Sequence, residues 1–98
     1  TDPLSTTAWK TRLDENKLGA TKPTAPVFLY HALADEMVAY PQAATFRRAW
    51  CNKGATVTWE TIPLAEHVTG MVDWAPDAFA YLEARFDGVP AVGNCLLP

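Results

Sequence analysis

Serine is almost absent from this chain of 98 residues. It occurs once, at Ser5, and there is no G-x-S-x-G, so the chain holds no serine nucleophile on a strand-to-helix elbow. Basic runs are missing too. Lys+Arg number 8 against Asp+Glu 11, a net charge of −3, which argues against nucleic acid or an anionic membrane surface as the main partner. No apolar stretch approaches about 18 residues, so no transmembrane segment is expected. Cysteine appears only at Cys51 and Cys95, a separation that fits neither zinc nor CxxC redox chemistry. No other set of side chains has zinc or calcium spacing, and no metal or organic cofactor is implied. Repeats and low-complexity tracts are also lacking. The length allows one small domain at most and is short for an open α/β core. The opening Thr1-Asp2-Pro3 shows neither an initiator Met nor a signal peptide, which points to a piece of something larger.

What is present is a globular composition, 49% hydrophobic and 19% charged. The even cysteine count and the tail position of Cys95 favour a Cys51–Cys95 disulfide; the other reading is two buried free thiols. A bridge would close a loop of roughly 45 residues, contribute about 4 kcal/mol on the loop-entropy model, and imply an oxidising compartment.

Residues 1–25 form a polar leader or linker, with a weak helical stretch over Thr7 to Leu18 ended by Gly19 and an extended run through Pro23 and Pro26. Residues 26–98 carry the rest of the fold. Val27-Phe28-Leu29-Tyr30-His31 is a short continuous apolar run, which predicts a strand buried on both faces of a parallel sheet. A loop from Ala32 to Tyr40 follows. Pro41 then opens a helix whose buried stripe is Ala43, Phe46, Ala49 and Trp50, and Lys53-Gly54 ends it. Thr56 to Thr61 reads as a second strand. A loop from Ile62 to about Val72 holds His67 and a flexible Gly70. The last helix is predicted from about Ala75, with Pro76 in its first turn, Asp73 and Asp77 as N-terminal charge, and Ala78, Phe79, Leu82 and Phe86 as its apolar face. Arg47-Arg48 reads as a solvated face, and Trp50, Trp59, Phe46, Phe79 and Phe86 as packing. A strand–helix–strand unit of this length is a parallel crossover. Two parallel strands make a poor free-standing sheet, so the fold class is α/β: the strand-helix-strand-helix end of a larger parallel sheet.

In such sheets functional groups gather in the loops beyond the carboxyl ends of strands. The first loop offers Asp35 and the second offers His67. Adjacent parallel strands would bring them to one edge, where the carboxylate can fix the imidazole tautomer and stabilise the imidazolium. Asp before His, with a serine earlier still, is the chain order of the α/β-hydrolases.

At these residues the chain resembles a family. His31-Ala32-Leu33-Ala34-Asp35-Glu36-Met37-Val38-Ala39-Tyr40 is similar to the acid loop of the secretory lipases of the lipase A type, whose usual form is H-G-x-x-D-x-x-V-P. Glu66-His67, 32 residues after Asp35, resembles the family's histidine loop. Asn16-Lys17-Leu18-Gly19, Trp50-Cys51, Gly54-Ala55 and Arg85-Phe86-Asp87-Gly88-Val89-Pro90-Ala91 run alongside, so the resemblance covers about Asn16 to Cys95. Ala32 replaces the usual glycine and Ala39 the common proline. The resemblance implies the C-terminal part of a secreted α/β-hydrolase that cleaves carboxylic esters, acylglycerols by expectation, with Asp35 and His67 as catalytic residues. The serine and the N-terminal remainder of the hydrolase would lie outside this chain, and the isolated chain would be inactive. Cys51, late in a helix and after Asp35, cannot stand in for the serine.

Other roles are weighed on the same residues. Asp35 could be a turn residue, with Glu36 as a rival carboxylate, and His67 could be a surface histidine. His31 reads as structural, orienting the acid loop. Met71 and Trp74, just after His67, are weak candidates for an acyl pocket, with core packing as the alternative. The rival functions are a non-catalytic binding or interaction domain, and another α/β-hydrolase such as a peptidase or dienelactone-type enzyme.

Overall fold

A computed structural model describes residues 2–97; Thr1 and Pro98, the ends of the expected leader and tail, lie outside the described residues. A 3-10 turn at Pro3–Ser5 leads into helix α1 (Thr7–Glu15). Strand β1 (Val27–Ala32), helix α2 (Tyr40–Asn52), strand β2 (Val57–Ile62) and helix α3 (His67–Phe86) follow. The strands pair in parallel, Val27 opposite Val57 through Ala32 opposite Ile62. β1 begins at Val27 as expected and runs one residue further, to Ala32, whereas β2 begins and ends one residue later than the expected Thr56 to Thr61. The β-branched and aromatic content of both segments suits a pleated surface.

Period-two alternation assigns the faces. Phe28, Tyr30 and Ala32 face α3: Phe28 stacks on Tyr81, and the Tyr30 hydroxyl donates to the Met71 carbonyl at 3.3 Å. His31, Trp59 and Thr61 face α2, where Tyr40 packs on the His31 and Trp59 rings and its hydroxyl lies 2.8 Å from Thr61 Oγ1. The expectation of a strand buried on both faces is corrected. Only Ala32 of β1 is fully buried and the other five are half-buried, because among the described residues only β2 pairs with β1. The core cluster is Ala32, Ile62 and Ala65, with Tyr30 and Trp74 packed against it.

The last helix also departs from expectation. It starts at His67, eight residues before Ala75, because Glu66 caps it: the Glu66 carboxylate accepts from the N–H groups of Val68 (2.9 Å) and Thr69 (2.7 Å). Pro76 lies inside the helix at an exposed position rather than in its first turn. Its missing N–H removes one helical bond, a cost of about 3 kcal/mol that packing of the first turns on β1 offsets. Asp73 and Asp77 are therefore interior helix residues, not N-terminal charges. Gly70 is buried helix rather than flexible loop. A Cβ there would sit 2.7 Å from the Ala32 Cβ, so glycine is what lets α3 lie this close to β1. The face of α3 toward the sheet is Gly70, Trp74, Ala78 and Tyr81. The expected apolar face fails at Phe79, Leu82 and Phe86, which are all exposed.

The outer edge of β2 is covered by the tail. The Asn94 N–H donates to the Val57 carbonyl at 2.9 Å. The Asn94 carboxamide then imitates a strand residue against Trp59, accepting from its N–H at 2.7 Å and donating to its carbonyl at 2.8 Å. Exposed strand edges are commonly closed by such cover. A Cys51–Cys95 disulfide pins the tail to α2, with Cα atoms 5.6 Å apart, so the free-thiol alternative falls. Arg47 completes the anchor. It donates to the carbonyls of Asn94 (2.7 Å) and Leu97 (3.0 Å) and lies over the Trp59 ring, which corrects its reading as a solvated side chain.

Two outcomes follow. Reducing the disulfide, whose partners stand 44 residues apart, is expected to lower the unfolding free energy by up to about 4 kcal/mol, read as a fall in the urea midpoint with dithiothreitol. Gly70→Ala is expected to cost about 1–3 kcal/mol in the same assay, because two rigid Cβ atoms cannot share that gap.

Candidate active site

The two loops beyond the strands meet at one edge of the sheet. β1 runs out at Ala32, and the chain is held to the end of β2 by Leu33 N–H to the Ile62 carbonyl (2.9 Å) and Ala34 N–H to the Ala65 carbonyl (3.2 Å). Asp35 then closes an Asx-type turn. Its Oδ1 accepts from the N–H groups of Met37 (2.9 Å) and Val38 (2.7 Å). With Oδ1 occupied, Oδ2 points across to the other loop and takes His67 Nδ1 at 2.8 Å. The Asp35 side chain is 5% exposed and that of His67 34%.

A carboxylate only accepts when ionised, so the contact assigns the Nδ1 proton to His67 and leaves Nε2 able to take a proton. The charge states agree. Burial pushes Asp35 upward, but the N–H of Val38, the His67 ring and the N–H of Met37 outweigh it and hold its pKa at about 2. His67 is raised above its ordinary value of 6.5, first by the hydrogen bond to Asp35, against burial, and then by the charges of Asp35, Glu36 and Glu66. Glu66 is lowered by its bonds to Thr69 and Val68, which keeps the helix cap ionised.

The other candidates fall into distinct places. Glu36 does not compete for the ring; its Oε2 accepts from the His67 backbone N–H at 3.2 Å. Only its adjacency to Asp35 could have signalled this. Glu66 acts as the α3 cap, a role the sequence hid because glutamate is not a favoured N-cap residue. His31 Nε2 lies 2.8 Å from the Val38 carbonyl and 3.3 Å from Asp35 Oδ2. Met71 lines a cavity of about 240 Å³ together with Tyr30, His31, Ala32, His67 and Gly70. Trp74 packs on the Ala32–Ile62–Ala65 core instead. Ser5 is remote in role: its hydroxyl donates to the Asp2 carbonyl at 2.7 Å within the N-terminal turn. Among the described residues no group of three His, Cys, Asp or Glu side chains is placed to hold a metal ion, and no helix is long and apolar enough to cross a membrane.

A hydrogen-bonded pair of this kind couples stability to pH. Asp35, depressed in the fold, contributes stability above its ordinary pKa of 3.8 that is lost as pH falls toward about 2. His67, raised in the fold, contributes stability below 6.5 that is lost as pH rises through its folded value. The pair is thus fully stabilising between those ordinary values. Asp35→Asn is expected to bring the His67 pKa down toward 6.5 and to flatten the fall of stability above neutrality, followed by NMR titration of the imidazole and urea unfolding across pH.

Comparison with known proteins gives a consistent placement. The profile of the family described as Secretory lipase matches residues 1–94. Lipase A of Moesziomyces aphidis is 34% identical over 76 residues, which span 78% of this chain and 16% of that protein. Secreted triacylglycerol lipase LIP7 of Malassezia globosa is 34% identical over 82 residues, 82% of this chain and 18% of that one. The chain therefore spans less than a fifth of these relatives. Candida antarctica lipase A, solved in its closed state, superposes with a TM-score of 0.81 at 28% identity, covering 94% of this chain and 23% of that structure. The strand-helix-strand-helix portion of an α/β-hydrolase parallel sheet is thus the fold, and the chain belongs to the secretory lipase family.

Proposed function

We propose that this segment supplies the acid and the base of a serine-dependent hydrolase of lipid esters, triacylglycerols foremost. The observation that carries the reading is the 2.8 Å contact between His67 Nδ1 and Asp35 Oδ2, with a buried, ionised carboxylate behind a part-exposed imidazole. In this reading His67 Nε2 takes the proton of a serine hydroxyl as that oxygen attacks the ester carbonyl. It returns the proton to the departing alcohol, and then repeats the exchange with water to release the acid. Asp35 keeps the Nδ1 proton in place and stabilises the imidazolium formed in each step. No G-x-S-x-G occurs in this chain, so this reading places the serine on residues beyond it. The relatives named as triacylglycerol lipases support the substrate class. The apolar surface supports a segment that packs into a larger fold: Phe79, Leu82 and Phe86 recur at helical spacing on α3 and are 66%, 50% and 89% exposed, an apolar stripe of the kind that marks a packing surface. The disulfide and the secreted relatives support an extracellular setting.

The test uses the full polypeptide that carries this segment. Wild type is expected to hydrolyse a triacylglycerol emulsion in preference to peptide substrates, with kcat/KM rising with pH to a plateau above the raised His67 pKa. Asp35→Asn is expected to lower kcat by about 10⁴-fold, through loss of the required tautomer. Peptide preference, or full activity in Asp35→Asn, would reject this reading.

A further inference from the structure

His31 is the second imidazole of the site, and nothing in the proton transfers above uses it. Its side chain is 14% exposed, at the penultimate residue of β1. The Val38 carbonyl can only accept, so the 2.8 Å contact with it requires a proton on His31 Nε2. The same nitrogen stands 3.3 Å from Asp35 Oδ2, the oxygen that receives His67. Its hydrogen goes to the Val38 carbonyl at the end of the acid loop, and the ring sits beside the loop's carboxylate. Val38 is gripped from two sides, its N–H by Asp35 Oδ1 at 2.7 Å and its carbonyl by His31. The ring is itself braced: Tyr40 packs edge-on against it with centroids 6.1 Å apart, and the Tyr40 hydroxyl is tied to Thr61 on β2.

We infer that His31 is a positioning residue for the proposed reaction, its Nε2–H clamping the acid loop so that Asp35 Oδ2 stays aimed at His67 Nδ1. The role rests on the proposed Asp35–His67 function. It needs a donor at the Nε2 position. Without that donor the Asx turn keeps its own N–H bonds, but the turn can rock on the strand and the carboxylate swings with it. A misplacement of about 1 Å at a catalytic group can cost about 10²-fold in rate.

The experiment compares His31→Phe, which fills the ring's space without a donor, and His31→Gln, whose amide N–H falls near Nε2, in the full polypeptide. His31→Phe is expected to lose up to about 10²-fold in kcat with KM for the ester little changed, and to shift or broaden the far-downfield proton resonance of His67 Nδ1–H. His31→Gln is expected to recover most of both. If His31→Phe keeps kcat and the resonance, or if Gln falls as far as Phe while both stay folded by circular dichroism, the clamp is wrong. Asp35→Asn, run in parallel, separates the two failures. Loss of activity in Asp35→Asn beside an undisturbed His31→Phe rejects His31 alone; full activity in Asp35→Asn rejects the underlying reading and the clamp with it.

Discussion

Everything at the site hangs on six residues of in-register parallel pairing, from Val27 opposite Val57 to Ala32 opposite Ile62. Because the strands run the same way and end level, the loops that follow them emerge side by side. Two further backbone bonds, from Leu33 to Ile62 and from Ala34 to Ala65, carry the ladder past the strand ends. Asp35 is thus delivered to the start of α3. A slip by one residue would turn Ala32 away from Gly70 and separate the two loops, since strand side chains alternate faces.

The pairing is itself held from the flanks, because the core is too small to do it alone. Ile62 and Val57 are the large side chains with full burial, and much of the remaining interior is alanine. Polar and covalent ties add to it. Asn94 turns its carboxamide into a one-residue strand against Trp59, Arg47 holds the carbonyls around it, and the disulfide fastens the next residue to α2. These ties cluster on the β2 edge, away from the site, and leave β1 as the edge without a partner among the described residues.

At the site itself each carboxylate has a separate task. Asp35 serves the ring, Glu36 the backbone N–H of His67, and Glu66 the next two N–H groups of α3. Three acids around one imidazole favour its charged form, and the helix N-terminus lets those charges be held without cations. An imidazolium at His67 would be stabilised by groups that are already in place, which is the electrostatic preorganisation the proposed function calls on.

Much of this was legible from residue order alone. The apolar run at Val27, the β-branched run at Thr56, Pro41 opening a helix and Gly54 closing one are local signals with local physics, and they locate both strands and α2 to within a residue. The Asp35–His67 pairing was legible because parallel topology forces loops after strands together. The last helix was misjudged because Pro76 and Gly70 are breakers by local propensity, whereas here one sits exposed and the other fits a gap only glycine can occupy. Arg47, Phe79 and Phe86 were misassigned because helical periodicity cannot say which side meets the sheet. The sequence by itself determined both strands, α2 and the parallel order, since those follow from backbone preferences and chain direction, and it offered the two residues of the candidate dyad through loop placement together with the resemblance to the secretory lipases. Only the tertiary structure decided which oxygen of Asp35 meets His67 and that Asn94 closes the β2 edge. Those depend on contacts between residues more than 30 positions apart, which no local preference encodes.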